Sequence, residues 1–344
     1  MFIKGLITTG TIFLFFSFIR IWVLQDRLPE YLPQPFYQIP TNPINNDTVQ
    51  LGRLLFYDNI LSVNNTVSCA SCHSPFNAFA HTDHDLSHGV FDSIGTRNAP
   101  GLFNLAWQEE FMWDGAIHHI EAQALAPLHD QREMGSSIND LIEKLQKSDF
   151  YKVEFLKVYK DSIINSSRAL KALAAFELSL VSFDSKYDKM RGGRASFTAQ
   201  EKAGYVLFKN HCCRCHKEPL FSSNTYEDNG LPIDSLLNDM GREVVSGRKE
   251  DRYKFNVPTL RNLSFTYPYM HDGRFKKLRQ VLDHYGTIDN QVLMRNSGIK
   301  APIFLSLDDG ADLVSFLLTL NDKSFVFNPD NAFPKKLLPK TKDK

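Results

Sequence analysis

The sequence predicts an all-α protein that is mostly helical, rich in loops and divided into two halves. Apolar residues recur at helical spacing along much of the chain, whereas the strict alternation that indicates strands is scarce. The second observation concerns the cysteines, which form one cluster near the start of each half: Cys69 with Cys72, then Cys212 with Cys213 and Cys215. We therefore expect two similar helical domains with one cysteine cluster each.

The boundaries between segments follow from composition. A chain of 344 residues is long for a single hydrophobic core, which favours two domains. A long amphipathic helix with Leu173 and Phe176 on its apolar face ends in "RGGRAS", and a Ser or Thr N-cap opens the next helix. Five prolines precede the first helix. We predict four segments: an N-terminal anchor, a Pro-rich tether and two domains, at 1–24, 25–47, 48–190 and 191–344.

The N-terminus predicts export from the cytoplasm. A lysine precedes the apolar run "GLITTGTIFLFFSFI", and Arg20 interrupts the run before a few more apolar residues. No small-x-small cleavage site follows, so we favour an uncleaved single-span anchor over a removed signal peptide. The formal net charge is zero and no basic block is present, which gives no electrostatic reason to expect a nucleic-acid partner.

Both cysteine clusters match C-x-x-C-H, the attachment signal for c-type haem. Two thiols three positions apart on a helical turn can form thioethers to the two vinyl groups of one porphyrin, and the adjacent histidine can bind the iron. Zinc is one alternative, but then the histidine directly after each C-x-x-C pair would be a coincidence. A thioredoxin-like pair is the other alternative, but no alternating strands and helices surround either motif. The sequence therefore predicts two covalent haem c groups, held by Cys69, Cys72 and His73 and by Cys212, Cys215 and His216.

Beyond these motifs, the chain resembles the di-haem cytochrome c peroxidase and MauG superfamily over nearly all of residues 48–325. The resemblance is carried by "LGRLLFYDNILS", "RNAP", "WDG", "QALAPL", "EMG" and "VPTLRNLSFTYPYMHDGRF", in that order. It implies two cytochrome c-like domains in a periplasmic enzyme. It also implies that the N-terminal haem reacts with peroxide and that the C-terminal haem relays electrons to it.

The resemblance implies that Gln123 and Glu133 line the distal side of the first haem, with Pro127 between them. The chemistry of Glu133 agrees, because splitting a peroxide requires a group that moves a proton from one oxygen to the other. Gln123 also lies at helical spacing from Ile117 and Ile120, which predicts an inward-facing amide. On spacing alone, an exposed position is about as good an interpretation for Gln123, and Glu133 would be read as a surface acid.

Further positions match the family's electron relay and its calcium site. Trp113 corresponds to the tryptophan between the two haems, although a buried core tryptophan would show the same pattern. Asn98, Thr266 and Pro268 correspond to positions that hold a calcium ion between the domains. Two of these donors would be backbone carbonyls, so the residue types alone say little.

One position separates two branches of the family. Ordinary peroxidases place a methionine about fourteen residues after the histidine of "HDG", whereas MauG-like members place a tyrosine there. Here that residue is Tyr285, on a predicted helical face with Leu278, Val281 and Leu282. The neighbouring His284 should point away from this face. Met270 could bind iron through its thioether, but it does not occupy the family's ligand position. A phenolate ligand would lower the potential of the second haem.

The loop before "RNAP" contains His81, His84 and His88. Ordinary members have a loop histidine that occupies the first haem iron at rest. His88 precedes a glycine as that histidine does, but it lies two residues too far upstream. We interpret the three as loop histidines, so the first haem should be five-coordinate at rest.

These observations leave three hypotheses about function. The first is a membrane-anchored periplasmic peroxidase that reduces hydrogen peroxide with electrons from a small cytochrome c, a cupredoxin or a quinol-linked donor. The second is a MauG-like oxidase that uses peroxide-derived, high-valent haem to modify a partner protein. The third is a di-haem electron-transfer protein without peroxide chemistry.

Overall fold

A computed structural model describes residues 28–40, 43, 45–289, 293, 299 and 301–334. The described chain is mostly helical, which confirms the predicted class. Its one ladder of named strands within these residues pairs Tyr226–Glu227 with Phe255–Asn256 in antiparallel order. The helices are Asp47–Tyr57, Cys69–Cys72, Ile120–Gln123, Leu125–His129, Ile138–Lys147, Asp149–Tyr159, Ser166–Ser179, Lys186–Arg191, Ala199–His211, Glu243–Ser246, Leu278–Gly286, Leu307–Leu318 and Lys323–Val326.

The first hydrophobic core is built around helix Asp47–Tyr57, which crosses helix Ser166–Ser179. The crossing is close because Gly52 has no side chain: a Cβ there would lie 1.8 Å from the Ala172 carbonyl oxygen. The predicted face of the second helix is buried at Leu173 and Phe176. The first C-x-x-C-H motif follows helix Asp47–Tyr57 along the chain.

The second core repeats this arrangement with different residues. Helix Ala199–His211 crosses helix Leu307–Leu318, and a Cβ at Gly204 would lie 1.9 Å from the Asp312 carbonyl oxygen. Thr198 caps the first of these helices, since its side chain accepts a hydrogen bond from the Glu201 N–H. The second C-x-x-C-H motif begins directly where this helix ends. Each motif is thus presented by a pair of helices with a glycine at the crossing.

The segment preceding the first helix lies along the body of the protein. The side chain of Ile39 is buried, and the N–H groups of Phe36 and Tyr37 donate to the Ala106 carbonyl. Trp107 Nε1 donates to the Pro33 carbonyl at 2.8 Å. Residues 28–40, part of the predicted tether, are therefore ordered by contacts with the first half of the chain. The division into 48–190 and 191–344 stays a prediction.

The predicted anchor, residues 1–24, lies outside the described residues. Among the helices of the described ranges, none combines the length and apolarity needed to cross a membrane.

Candidate haem-binding site

A single cavity of about 730 Å³ borders both cysteine motifs. Its wall includes residues of the first motif, residues of the second motif, and Trp113. Every predicted residue on the distal side of either haem also lies on this wall: Gln123, Pro127, Glu133 and Tyr285. Residues as far apart in the sequence as Cys72 and Tyr285 thus face one space.

The two motif histidines are held in the same way. His73 Nδ1 lies 2.7 Å from the Phe79 carbonyl oxygen, and His216 Nδ1 lies 3.0 Å from the Pro258 carbonyl oxygen. A carbonyl only accepts, so Nδ1 carries the proton and Nε2 keeps its lone pair in each ring. Burial lowers the pKa of both histidines to about 4. Each neutral ring therefore has one nitrogen ready to bind iron.

The thiols fit covalent attachment to haem better than a thioredoxin-like redox pair. The five cysteines are unpaired, and burial raises the pKa of Cys69, Cys72, Cys212 and Cys215. A redox-active pair requires a lowered thiol pKa, so the thioredoxin-like interpretation is disfavoured. Across the described ranges, no group of three or more His, Cys, Asp or Glu side chains is arranged to hold a metal ion.

Two polar atoms at the cavity indicate that it receives a large group with a polar edge. His271 Nδ1 and Asn256 Oδ1 are buried and have no hydrogen-bond partner among the described residues, although both side chains line the cavity. Buried polar groups are rarely left without a partner. A porphyrin bears two carboxylates that could accept from the imidazole. The donor set, the cavity and the unpaired His271 nitrogen together fit haem.

Glu133 shares the cavity wall with Cys72 and His73 of the first motif. Burial raises its pKa, and the charge of Asp130 raises it further, while Arg132 acts in the opposite direction. Gln123 ends the short helix Ile120–Gln123, and the buried Ile120 begins it. The spacing argument was wrong for Ile117, which precedes this helix and forms a bridge with Phe111 instead. Gln123 nevertheless faces the cavity.

The loop histidines do not line the cavity. Their rings form a row, with 5.9 Å between the centroids of His81 and His84 and 4.6 Å between those of His84 and His88. His88 Nδ1 lies 2.6 Å from Asp92 Oδ1. The backbone of this loop is nonetheless close to the site, because Gly89 packs directly against the backbone of Glu133. The five-coordinate resting state of the first haem stays a prediction.

Tyr285 lies on the cavity wall near the second motif, together with the other residues of its predicted helical face: Leu278, Val281 and Leu282. Burial and the neighbouring Cys212 and Cys215 raise the pKa of Tyr285, so its phenol stays protonated unless a cation lies against the oxygen. His284 points elsewhere, with Nε2 2.9 Å from the Asn229 carbonyl oxygen. Met270 also borders the cavity, but its sulfur accepts a hydrogen bond from the Asn229 amide.

The predicted relay and calcium positions border the same space. Trp113 Nε1 donates to the Asn98 carbonyl at 2.8 Å, which fixes the indole. Asn98, Thr266 and Pro268 all line the cavity beside it. Their roles in electron relay and calcium binding stay predictions.

Sequence reasoning did not single out Asn256 or His271. His271 was used only as the start of "HDG", yet its ring stacks on Phe255 with 3.7 Å between ring centroids. His271 lies within the motif "VPTLRNLSFTYPYMHDGRF", residues 257–275, and Asn256 directly precedes it. The signal that could have found both is this segment, which supplies much of the cavity wall.

These features fit a c-type haem protein, and comparisons with known proteins agree. The chain matches the family described as di-haem cytochrome c peroxidase over residues 46–196. It is 34% identical over 306 residues to the methylamine utilization protein MauG of Methylorubrum extorquens, covering 86% of this chain and 82% of the relative. It is 33% identical over 293 residues to the cytochrome c551 peroxidase of Nitrosomonas europaea, covering 81% of each.

A solved structure is also similar. It is the crystal structure of a MauG-like protein associated with microbial copper homeostasis, with a TM-score of 0.81, 31% identity, and coverage of 90% of this chain and 98% of that chain. The chain belongs to the di-haem cytochrome c peroxidase and MauG family. It is an oxidoreductase of the peroxidase type, and the family implies haem c as its cofactor.

Proposed function

We propose that the protein binds two covalent haem c groups and reduces hydrogen peroxide at the first of them. The observation that carries this proposal is the single cavity that borders both C-x-x-C-H motifs and has Glu133 on its wall. Cys69 and Cys72 would hold the first haem with His73 as the iron ligand. Cys212, Cys215 and His216 would hold the second. Haem supplies an iron that binds peroxide and exchanges electrons with it.

Glu133 and Gln123 prepare the first site for peroxide. A carboxylate at this position can take a proton from one peroxide oxygen and return it to the other. The amide of Gln123 can donate a hydrogen bond to the bound oxidant. Pro127 contributes an apolar part of the cavity wall between them. With no loop histidine on the wall, this side of the site is open to a small ligand without a prior rearrangement.

Electrons would reach the first site from the second across Trp113. The donor is an external reductant of the c-type cytochrome, cupredoxin or quinol-linked class. We place this reaction in the periplasm, because c-type haem attachment occurs outside the cytoplasm and the N-terminal sequence predicts export. Tethering to the inner membrane by residues 1–24 is part of the same proposal.

A second candidate function is the oxidation of a partner protein, and Tyr285 favours it. An anionic phenolate would lower the potential of the second haem, which suits retention of an oxidising equivalent more than uptake of electrons from a high-potential donor. The MauG relatives are consistent with this role.

The two functions are separated by donor turnover. The haem-loaded protein is mixed with hydrogen peroxide and a reduced small c-type cytochrome, and cytochrome oxidation is followed by absorbance. Sustained turnover supports the peroxidase. A long-lived oxidised state without cytochrome turnover supports the partner-modifying oxidase. Absence of any reaction with peroxide would contradict both.

We predict that Tyr285→Phe changes the second haem and leaves the first unchanged. Loss of the phenolate should alter the low-spin electron paramagnetic resonance (EPR) signal and raise the midpoint potential by part of the roughly 0.8 V range that axial ligands span. His284→Gln is the matched control, because His284 is adjacent but points to the Asn229 carbonyl. An unchanged spectrum in Tyr285→Phe would show that this residue is not the ligand.

A further inference from the structure

Beside the cavity, the structure contains a tyrosine–carboxylate pair that the roles assigned above do not use. The phenol of Tyr226 donates to Glu110 Oε2 at 2.6 Å. The Arg242 guanidinium lies over the Tyr226 ring, with its Cζ 3.8 Å from the ring centroid, and its Nη1 is 2.9 Å from the same Glu110 oxygen. Tyr226 and Glu110 are 116 positions apart, so the sequence gives no local signal for the pair.

The Tyr226–Glu110 pair packs against the segment that carries Trp113. Gly115, two residues after Trp113, packs so closely on Tyr226 that a Cβ there would lie 2.0 Å from the phenol oxygen. Tyr226 pairs in the strand ladder with Asn256, whose N–H donates to the Trp113 carbonyl at 2.7 Å. Two independent contacts thus join Tyr226 to the backbone around Trp113.

The opposite side of the pair reaches solvent. Glu110 Oε1 lies 3.1 Å from His118 Nδ1, and the side chain of His118 is 61% exposed. Tyr226 itself is half-buried. Tyr226 is therefore joined to the backbone around Trp113 on one side and, through Glu110, to the exposed His118 on the other.

Resting on the proposed function, we propose that Tyr226 is a redox relay that carries electrons from a donor at this surface to Trp113, as a second route beside the one from the second haem. Hydrogen peroxide is the terminal oxidant. One electron leaves Tyr226 towards Trp113, and the phenol O–H proton moves to Glu110 Oε2, which gives a neutral phenoxyl radical and a carboxylic acid. An external one-electron donor then reduces the radical, and the proton returns from Glu110. Two such cycles supply the two electrons that, together with two protons from solvent, reduce one peroxide to two water molecules.

The surroundings suit this proton transfer. A base must lie within about 2.6–3.2 Å of the proton that it accepts, and Glu110 meets this condition. Burial raises the pKa of Glu110, but the hydrogen bonds from Tyr226 and Arg242 outweigh that effect and leave the pKa lowered. Glu110 is therefore ionised and able to accept. Burial and the Glu110 contact raise the pKa of Tyr226, so the phenol keeps its proton until it is oxidised.

A second pair in the same protein provides a control. Tyr205 donates to Glu218 Oε1 at 2.8 Å and is half-buried, like Tyr226. It packs against Phe316 and Phe208 in the second core, and like Tyr226 it does not itself line the cavity. Tyr205→Phe removes an equivalent phenol without touching the segment around Trp113.

The test compares haem-loaded wild type, Tyr226→Phe, Tyr205→Phe and Glu110→Gln. Each is mixed with hydrogen peroxide without a donor, freeze-quenched, and examined by EPR, with ring-deuterated tyrosine to identify tyrosyl signals. We expect a tyrosyl radical in the wild type and in Tyr205→Phe, and its loss in Tyr226→Phe. Glu110→Gln retains an oxygen acceptor but is a poor proton acceptor, so it should also lose the signal. Peptide mass spectrometry should find peroxide-dependent oxidation at Tyr226.

Three results would overturn the relay, and they differ in what they leave standing. A wild type that consumes peroxide while Tyr226→Phe keeps the same tyrosyl signal removes the relay and leaves the proposed function standing. A wild type that does not consume peroxide removes both. Equal loss of signal in Tyr205→Phe would also contradict a specific role for Tyr226.

Discussion

Replacement of Glu133 with glutamine is expected to slow peroxide turnover by about 10²–10⁴-fold, the usual contribution of a positioned acid–base group. The change keeps the size of the side chain and removes its ability to carry a proton. Haem absorbance should be unchanged, because Glu133 lies on the cavity wall and takes no part in haem attachment. The measurement is steady-state peroxide consumption with a saturating reductant.

The pH dependence gives a second readout of the same residue. Burial and Asp130 raise the pKa of Glu133, and the residue must be ionised to accept the first proton. Turnover should therefore be full above this raised pKa and be lost as the pH falls through it, and Glu133→Gln should abolish that limb. Glu143→Gln, an exposed acid on helix Ile138–Lys147, is the matched control. Equal turnover in Glu133→Gln and wild type would contradict the assignment.

Arg261→Met is expected to reduce the free energy of unfolding by about 3–5 kcal/mol. Arg261 and Asp188 are fully buried and form two hydrogen bonds of 2.9 Å. Tyr31 also donates to Asp188 at 2.8 Å. Asp188 thus links residues 28–40 to Arg261 in the second half of the chain. Methionine would fill similar volume but leave the buried Asp188 without its counter-charge.

Urea unfolding of the haem-loaded proteins, followed by circular dichroism, measures the effect. Arg279→Met is the control, because Arg279 forms an exposed pair with Asp283 that contributes at most about 1 kcal/mol. The double variant Arg261→Met with Asp188→Leu should recover much of the loss, since no buried charge is then left unpaired. Similar losses for Arg261→Met and Arg279→Met would show that burial of the ion pair has little effect.

Local sequence patterns predicted the parts of the site that depend on short-range spacing. The two C-x-x-C-H motifs, the helix face with Tyr285 and the N-cap at Thr198 all lie where periodicity and capping residues indicate. These features depend on neighbours within a few turns of helix. The resemblance to a family supplied what spacing could not, namely that Glu133 and Gln123 share a wall with the first motif.

Other features depend on contacts between distant segments, and no local pattern encodes them. Ile117 fits a helical period by coincidence, because the helix begins only at Ile120. The pair of Tyr226 and Glu110 joins a short strand to a loop more than a hundred residues away. The same limit applies to residues 28–40, whose prolines indicate an extended chain but not the surface on which it packs.

The central claim is that each C-x-x-C-H motif covalently holds one haem. It is tested most directly by proteolysis of the matured protein and mass spectrometry of the peptides that contain residues 69–73 and 212–216. The account predicts one haem mass added to each peptide. Peptides with the mass of the bare polypeptide, from protein matured with intact haem-attachment machinery, would contradict it.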